Sequence, residues 1–154
     1  MQEKLNNGQS LFEVVVAIAI SAIIIVALVA LAANSIRNAT FARNKTQAGR
    51  YAEEATEWLR GQRDMDISTF KSNSLVPVWC LSFLFATPSD WSAQSQGDCS
   101  QGEEIPGTKF FRELEFPDDG NPDVIQVDVV VFWTDSQGTH EVRSATNLSD
   151  WRQR

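Results

Sequence analysis

Four groups of residues in this chain have types and spacings that bear on chemistry. Glu13 is a lone carboxylate at the head of an apolar run, Val14 to Ala33, whose only polar side chain is Ser21. A charged side chain placed in a bilayer costs roughly 2.5 to 3.5 kcal/mol at the centre and less near the interface, so a carboxylate here calls for a cationic partner. Cys80 and Cys99 are the only cysteines. On an oxidising side of a membrane they read as one bridge; elsewhere they are two thiols, and metal ligation would need two more ligands from a chain with one histidine. Asp118, Asp119, Asn121 and Asp123 crowd oxygens into one turn, which is either turn chemistry or a calcium site without EF-hand spacing. His140 stands alone, with no serine or cysteine arrangement to make it a general base, and reads as a strand-surface histidine.

The element that carries Glu13 is set by length. Twenty apolar residues in helical conformation rise about 30 Å, the thickness of a bilayer core, so the run is a membrane-spanning candidate. No proline precedes Pro77, and Gly49 is the single glycine between Gln9 and Leu59. Ala48, Tyr51, Ala52, Ala55, Trp58 and Leu59 form one apolar stripe at helical spacing beyond the membrane segment. One helix is therefore expected from about Leu11 to Leu59, with Gly61 as its stop.

Strand periodicity appears later. Lys109 to Phe116 places Phe110, Leu114 and Phe116 on one face with Glu113 and Glu115 on the other, and Val124 to Trp133 aligns Ile125, Val127, Val129, Val131 and Trp133 against Gln126 and Asp128. Thr134 to Gly138 closes a hairpin, and Thr139 to Leu148 returns as a third strand. Between Asp64 and Gly107 the pattern is irregular, broken by Pro77, Pro88 and a Ser/Gln/Gly-rich loop. The expected fold is α+β: a long N-terminal helix packed on an antiparallel sheet of three or more strands. Tryptophans 58, 79, 91, 133 and 151 read as core rather than as a ligand platform.

Charge is divided along the chain. The formal total is −7, but residues 34–63 sum to +3 and residues 64–154 to −9. An acidic head disfavours nucleic-acid binding, whereas the basic stem could meet anionic membrane lipid. The positive-inside rule, applied to Lys4 against Arg37, Arg43 and Lys45, favours a cytoplasmic C-terminus. Long domains translocate largely regardless of such charges, and the cysteine pair favours the oxidising side. A conventional secretory signal, cut at Ala30-Leu31-Ala32, is opposed by the length of the apolar run.

Gly8 followed by Gln9, with Glu13 at the fifth position after the glycine and the hydrophobic helix beyond, resembles the prepilin cleavage and methylation motif of type IV pilins and type II secretion pseudopilins. The resemblance implies cleavage after Gly8, loss of residues 1–8 as a leader, N-methylation of Gln9, and pairing of Glu13 with the terminal amine of an adjacent subunit. The family's usual first mature residue is Phe, where this chain has Gln9. A weaker resemblance, from Val124 to Trp151, links the last hairpin to minor pilins and minor pseudopilins of the I class. The pilin layout implies residues 9–33 as a transmembrane and filament-core helix, and residues 34–154 as a globular head that includes the amphipathic half of the helix and the C-terminal sheet. The bridge position ahead of the strands, and the absence of Gly and Pro from Val14 to Ala33, favour a minor rather than a major subunit. A member of this family has a structural role, without catalysis or cofactor. Its partners would be prepilin peptidase, other pilin or pseudopilin subunits, the assembly platform of the cytoplasmic membrane, and membrane lipid. A single-pass inner-membrane precursor with its head on the extracytoplasmic side is expected, moving later into a pilus or pseudopilus. The alternative is a membrane-anchored extracytoplasmic binding or enzymatic domain with a coincidental pilin-like start.

Overall fold

A computed structural model describes residues 11–117 and 124–149, apart from the side chains of residues 88, 89 and 92. The chain divides into two compact units, residues 1–43 and residues 44–154. In the first, every described residue lies in helix α1 (Leu11–Met65), and nearly all are exposed. Leu11, Phe12, Ile18, Ile23, Val26 and Leu31 are each more than three-fifths exposed. Such a surface is long and apolar enough to cross a membrane. Ser21, the one polar side chain between Val14 and Ala33, donates its hydroxyl to the Ala17 carbonyl at 2.8 Å and so carries no open donor into that surface.

The second unit is a two-layer α+β head. From residue 44 onward α1 buries Asn44, Ala48, Ala52, Ala55, Thr56, Leu59 and Gln62, a stripe at intervals of one to four residues that is covered by the sheet. Its alanines are essentially inaccessible. The helix does not stop at Gly61. It runs on to Met65, because Gln62, one turn beyond Leu59, is itself anchored in the core. The break comes at Asp66, whose extended backbone and side chain cap helix α2 (Ile67–Asn73) by accepting the N–H groups of Ser68 and Thr69 at 3.0 and 3.1 Å.

The segment expected to be irregular holds more order than its composition signals. It contributes α2, strand β1 (Val78–Cys80), a 3₁₀ turn (Pro88–Ala93) and strand β2 (Ser95–Gln96). With β3 (Phe111–Glu115), β4 (Val124–Asp135) and β5 (Gly138–Ser149) these strands form a five-stranded antiparallel sheet, ordered β2-β1-β3-β4-β5. Pro77 does not end the ladder, since its carbonyl accepts the Phe116 N–H at 2.8 Å. The hairpin between β4 and β5 is tighter than expected, with only Ser136 and Gln137 between the paired Asp135 and Gly138. Gly138 has φ +119°, a conformation that favours glycine, and Asp135 accepts the Gln137 N–H at 2.8 Å to hold the turn.

The inner face of the sheet follows the expected alternation: Phe110, Leu114, Phe116, Val127, Val129, Val131 and Trp133 are buried. Four of the tryptophans also lie where core residues should. Trp91 stacks on Trp58 at 5.1 Å and meets Trp79 and Phe70 edge-on at 5.6 and 6.0 Å, joining α1, α2, β1 and the 3₁₀ turn. Trp133 meets Phe110 at 5.6 Å under the other end of the sheet. Trp151 lies outside the described residues.

Candidate functional site

Glu13 sits in the first described turn of α1. It heads an open concave strip on the helix surface lined by Val14, Ala17, Ile18, Ser21, Ala22 and Ile25. Small side chains at 17, 21 and 22 make the concavity, and branched ones at 14, 18 and 25 rim it. Among the described residues nothing pairs with Glu13. The strip therefore offers one anionic group and a shallow apolar path for a neighbouring helix. Gly8 and Gln9 lie outside the described residues, as do the turn carboxylates and amide at 118, 119, 121 and 123.

Cys80 and Cys99 are joined in a disulfide, with Cα atoms 4.9 Å apart and a sequence separation of 19. The bond ties β1 to the loop that follows β2. Two carboxylates hold the same loop. Glu113, buried on β3 opposite Cys80, accepts the Cys99 N–H at 2.6 Å, and Glu103 accepts the Ser100 N–H at 2.7 Å and the hydroxyl of Ser95. Burial pushes the Glu113 carboxyl above its ordinary value against the pull of that N–H. The Ser95 and Ser100 hydroxyls hold the Glu103 carboxyl below its ordinary value.

His140 lies on β5 within 3.1 Å of Asp135 and is tilted over the Trp133 ring at 5.3 Å. It is half-buried on the strand surface, with a carboxylate beside it.

Residues not singled out by type and spacing make further polar contacts in the head. Arg112 follows the same alternation as Phe110 and Leu114 and is buried at the helix–sheet boundary. It donates to the Leu81 carbonyl at 3.3 Å and to Glu54 on α1 at 3.4 Å. Burial lowers the Arg112 pKa and the Glu54 charge opposes that. The period-2 signal is sufficient to place it. Gln62 carries no such signal: it donates to the carbonyls of Phe85 and Ala86 at 3.2 and 3.4 Å and accepts the Trp91 indole N–H at 3.3 Å. On the outer face of the sheet Arg143 pairs with Glu115 and reaches Asp128 at 3.4 Å, and Glu115 raises its pKa.

Among the described residues, no group of three or more His, Cys, Asp or Glu side chains is arranged to hold a metal ion. Comparison with protein-family models, curated proteins and solved structures gives no match to this chain.

Proposed function

We propose that the chain is a minor pilin or pseudopilin, a structural subunit of a type IV pilus or type II secretion pseudopilus. In this reading prepilin peptidase removes residues 1–8, and the subunit enters its filament through the N-terminal helix. The observation that carries the reading is Glu13, five residues after Gly8, in the first turn of an apolar helix that continues into the core of a small antiparallel head. A carboxylate and an ammonium are each costly to bury alone, so pairing Glu13 with the terminal amine of a neighbouring subunit would set the axial register between two apolar helices. The disulfide supports an extracytoplasmic head, because such bonds persist in oxidising compartments.

The test is coexpression with a prepilin peptidase, followed by intact-mass measurement. The expected product begins at Gln9, with or without one added methyl group, and Gly8→Val blocks its formation. A product cut after Ala32 overturns the proposal, as does an intact chain in the presence of a peptidase shown to process a control substrate.

A further inference from the structure

Strand β5 forms one edge of the sheet, and hydrogen-bond parity fixes which of its residues face outward. The Leu81 N–H donates to the Arg112 carbonyl, so even-numbered residues of β3 point toward β1 and odd-numbered ones toward β4. Phe111, Glu113 and Glu115 pair with Phe132, Val130 and Asp128, which leaves the odd-numbered residues of β4 for β5. Trp133, Val131, Val129 and Val127 then bond His140, Val142, Ser144 and Thr146. The N–H and C=O groups of Thr139, Glu141, Arg143, Ala145 and Asn147 are therefore left on the free edge. None of them has a backbone partner among the described residues.

Edges of this length are usually interrupted. Proline, lysine, a bulge or a covering segment prevents another strand from adding. β5 has twelve residues, no Pro and no Lys, and its register with β4 is unbroken from Gly138 to Ser149. Its odd-numbered side chains are exposed, and the nearby outer surface is anionic: Glu115, Asp128 and Glu141 surround Arg143, whose guanidinium is committed to Glu115 and Asp128.

We infer that the β5 edge is a strand-acceptor site for an extended, basic segment of a partner protein. Five outward residues present the ladder, and Glu141 on β5, with Asp128 one strand behind it, favours lysine or arginine on the outer face of the incoming strand. A second copy of this chain fits poorly. Antiparallel pairing of β5 with β5 would set two like outer surfaces side by side, so Glu141 and Asp128 of one copy would stand against an equally anionic neighbour, with Arg143 of each already engaged. The inference depends on the head alone and holds whether or not the chain is processed after Gly8.

The probe is a blocked nonapeptide, Thr-Val-Lys-Val-Thr-Val-Lys-Val-Thr, added to the full chain in detergent micelles with residue-resolved amide exchange as the readout. The amides of Glu141, Arg143 and Ala145 should slow by on the order of tenfold at saturating peptide. Those of His140, Val142 and Ser144, already bonded to β4, should change little. Replacing both lysines of the peptide by glutamate should remove the effect. Ala145→Pro deletes an N–H that β4 does not use and should abolish protection of the neighbouring odd-numbered amides while β4 exchange stays unchanged. Ala145→Lys, which leaves the backbone intact, should weaken binding of the cationic peptide at least several-fold. Uniform protection of odd and even residues, equal binding of the glutamate peptide, or no protection at millimolar peptide would each overturn the inference. So would a peptide effect that appears only with dimerisation of the chain.

Discussion

Replacing Gln62 by alanine removes the polar link between the end of α1 and the segment that crosses it. Gln62 is 1% exposed and makes three hydrogen bonds there. The Phe85 carbonyl keeps a donor, since the Trp58 indole N–H reaches it at 2.5 Å. The Trp91 indole has no such substitute in a site where its ring is itself 1% exposed. A buried donor left without an acceptor costs about 1 to 3 kcal/mol, and truncating the side chain adds about 1 kcal/mol in lost packing. The expected loss is therefore about 2 to 4 kcal/mol, a large part of the roughly 5 to 15 kcal/mol typical of a domain. The assay is urea unfolding of the full chain in detergent micelles, followed by tryptophan fluorescence, with the slope m required to stay constant. Trp91→Phe serves as the second arm of a double-mutant cycle, because it removes the donor that Gln62→Ala orphans. A coupling of about 1 to 2 kcal/mol is expected between the two changes. A coupling below about 0.5 kcal/mol, the ordinary error of additivity, would refute the assignment of that cost to the indole N–H.

Removing both cysteines (Cys80→Ala with Cys99→Ala) should destabilise the head by roughly 3 kcal/mol through the freed loop, and limited proteolysis should then cut between residues 81 and 98. Glu113 has a folded pKa above its ordinary value of 4.5, so the folded chain binds the proton more tightly and stability falls as pH rises through the window between the two values. Glu113→Gln should flatten that decline and leave the variant more stable than the parent above the window, as read from urea midpoints across the pH range. A variant less stable at neutral pH would show that the Cys99 N–H needs a charged acceptor. If the chain enters a filament as proposed, Glu13→Ala should leave membrane insertion intact yet lower incorporation into sheared filaments relative to the membrane pool, since in that reading the neighbouring ammonium loses its counter-charge. Equal ratios would remove the register role from Glu13.

Strong periodicity controls what the sequence made legible. The apolar run, the stripe from Ala48 to Leu59, and the alternation in β3 and β4 all depend on many residues repeating one preference, and each lies where that preference puts it. The disulfide accords with there being two cysteines and an expected extracytoplasmic head. β1 and β2 have three and two residues, too few for any period to register, and their places are set by partners distant in the chain. Gly61 misled because a propensity of about 1 kcal/mol was outweighed by the anchoring of Gln62 one residue later. Arg112 shows the opposite case: its position in the alternation placed it inward, and its charge alone argued otherwise. Val130 is buried on the outer face of the sheet, although alternation puts it on the solvent side. The unbroken apolar run from Val129 to Trp133 is the signal within β4 for that cover.

The bridge between Cys80 and Cys99 also determines how the chain would answer a pull along its length. Nineteen peptide units separate the two residues, and a free stretch of that size can extend to roughly 65 Å before its backbone is taut. With the sulfurs joined, tension entering at β1 passes directly to the strand side of the loop, and the intervening 3₁₀ turn and β2 bear none of it. The head under load would thus unravel by a shorter step when oxidised than when reduced, by nearly the whole of that loop.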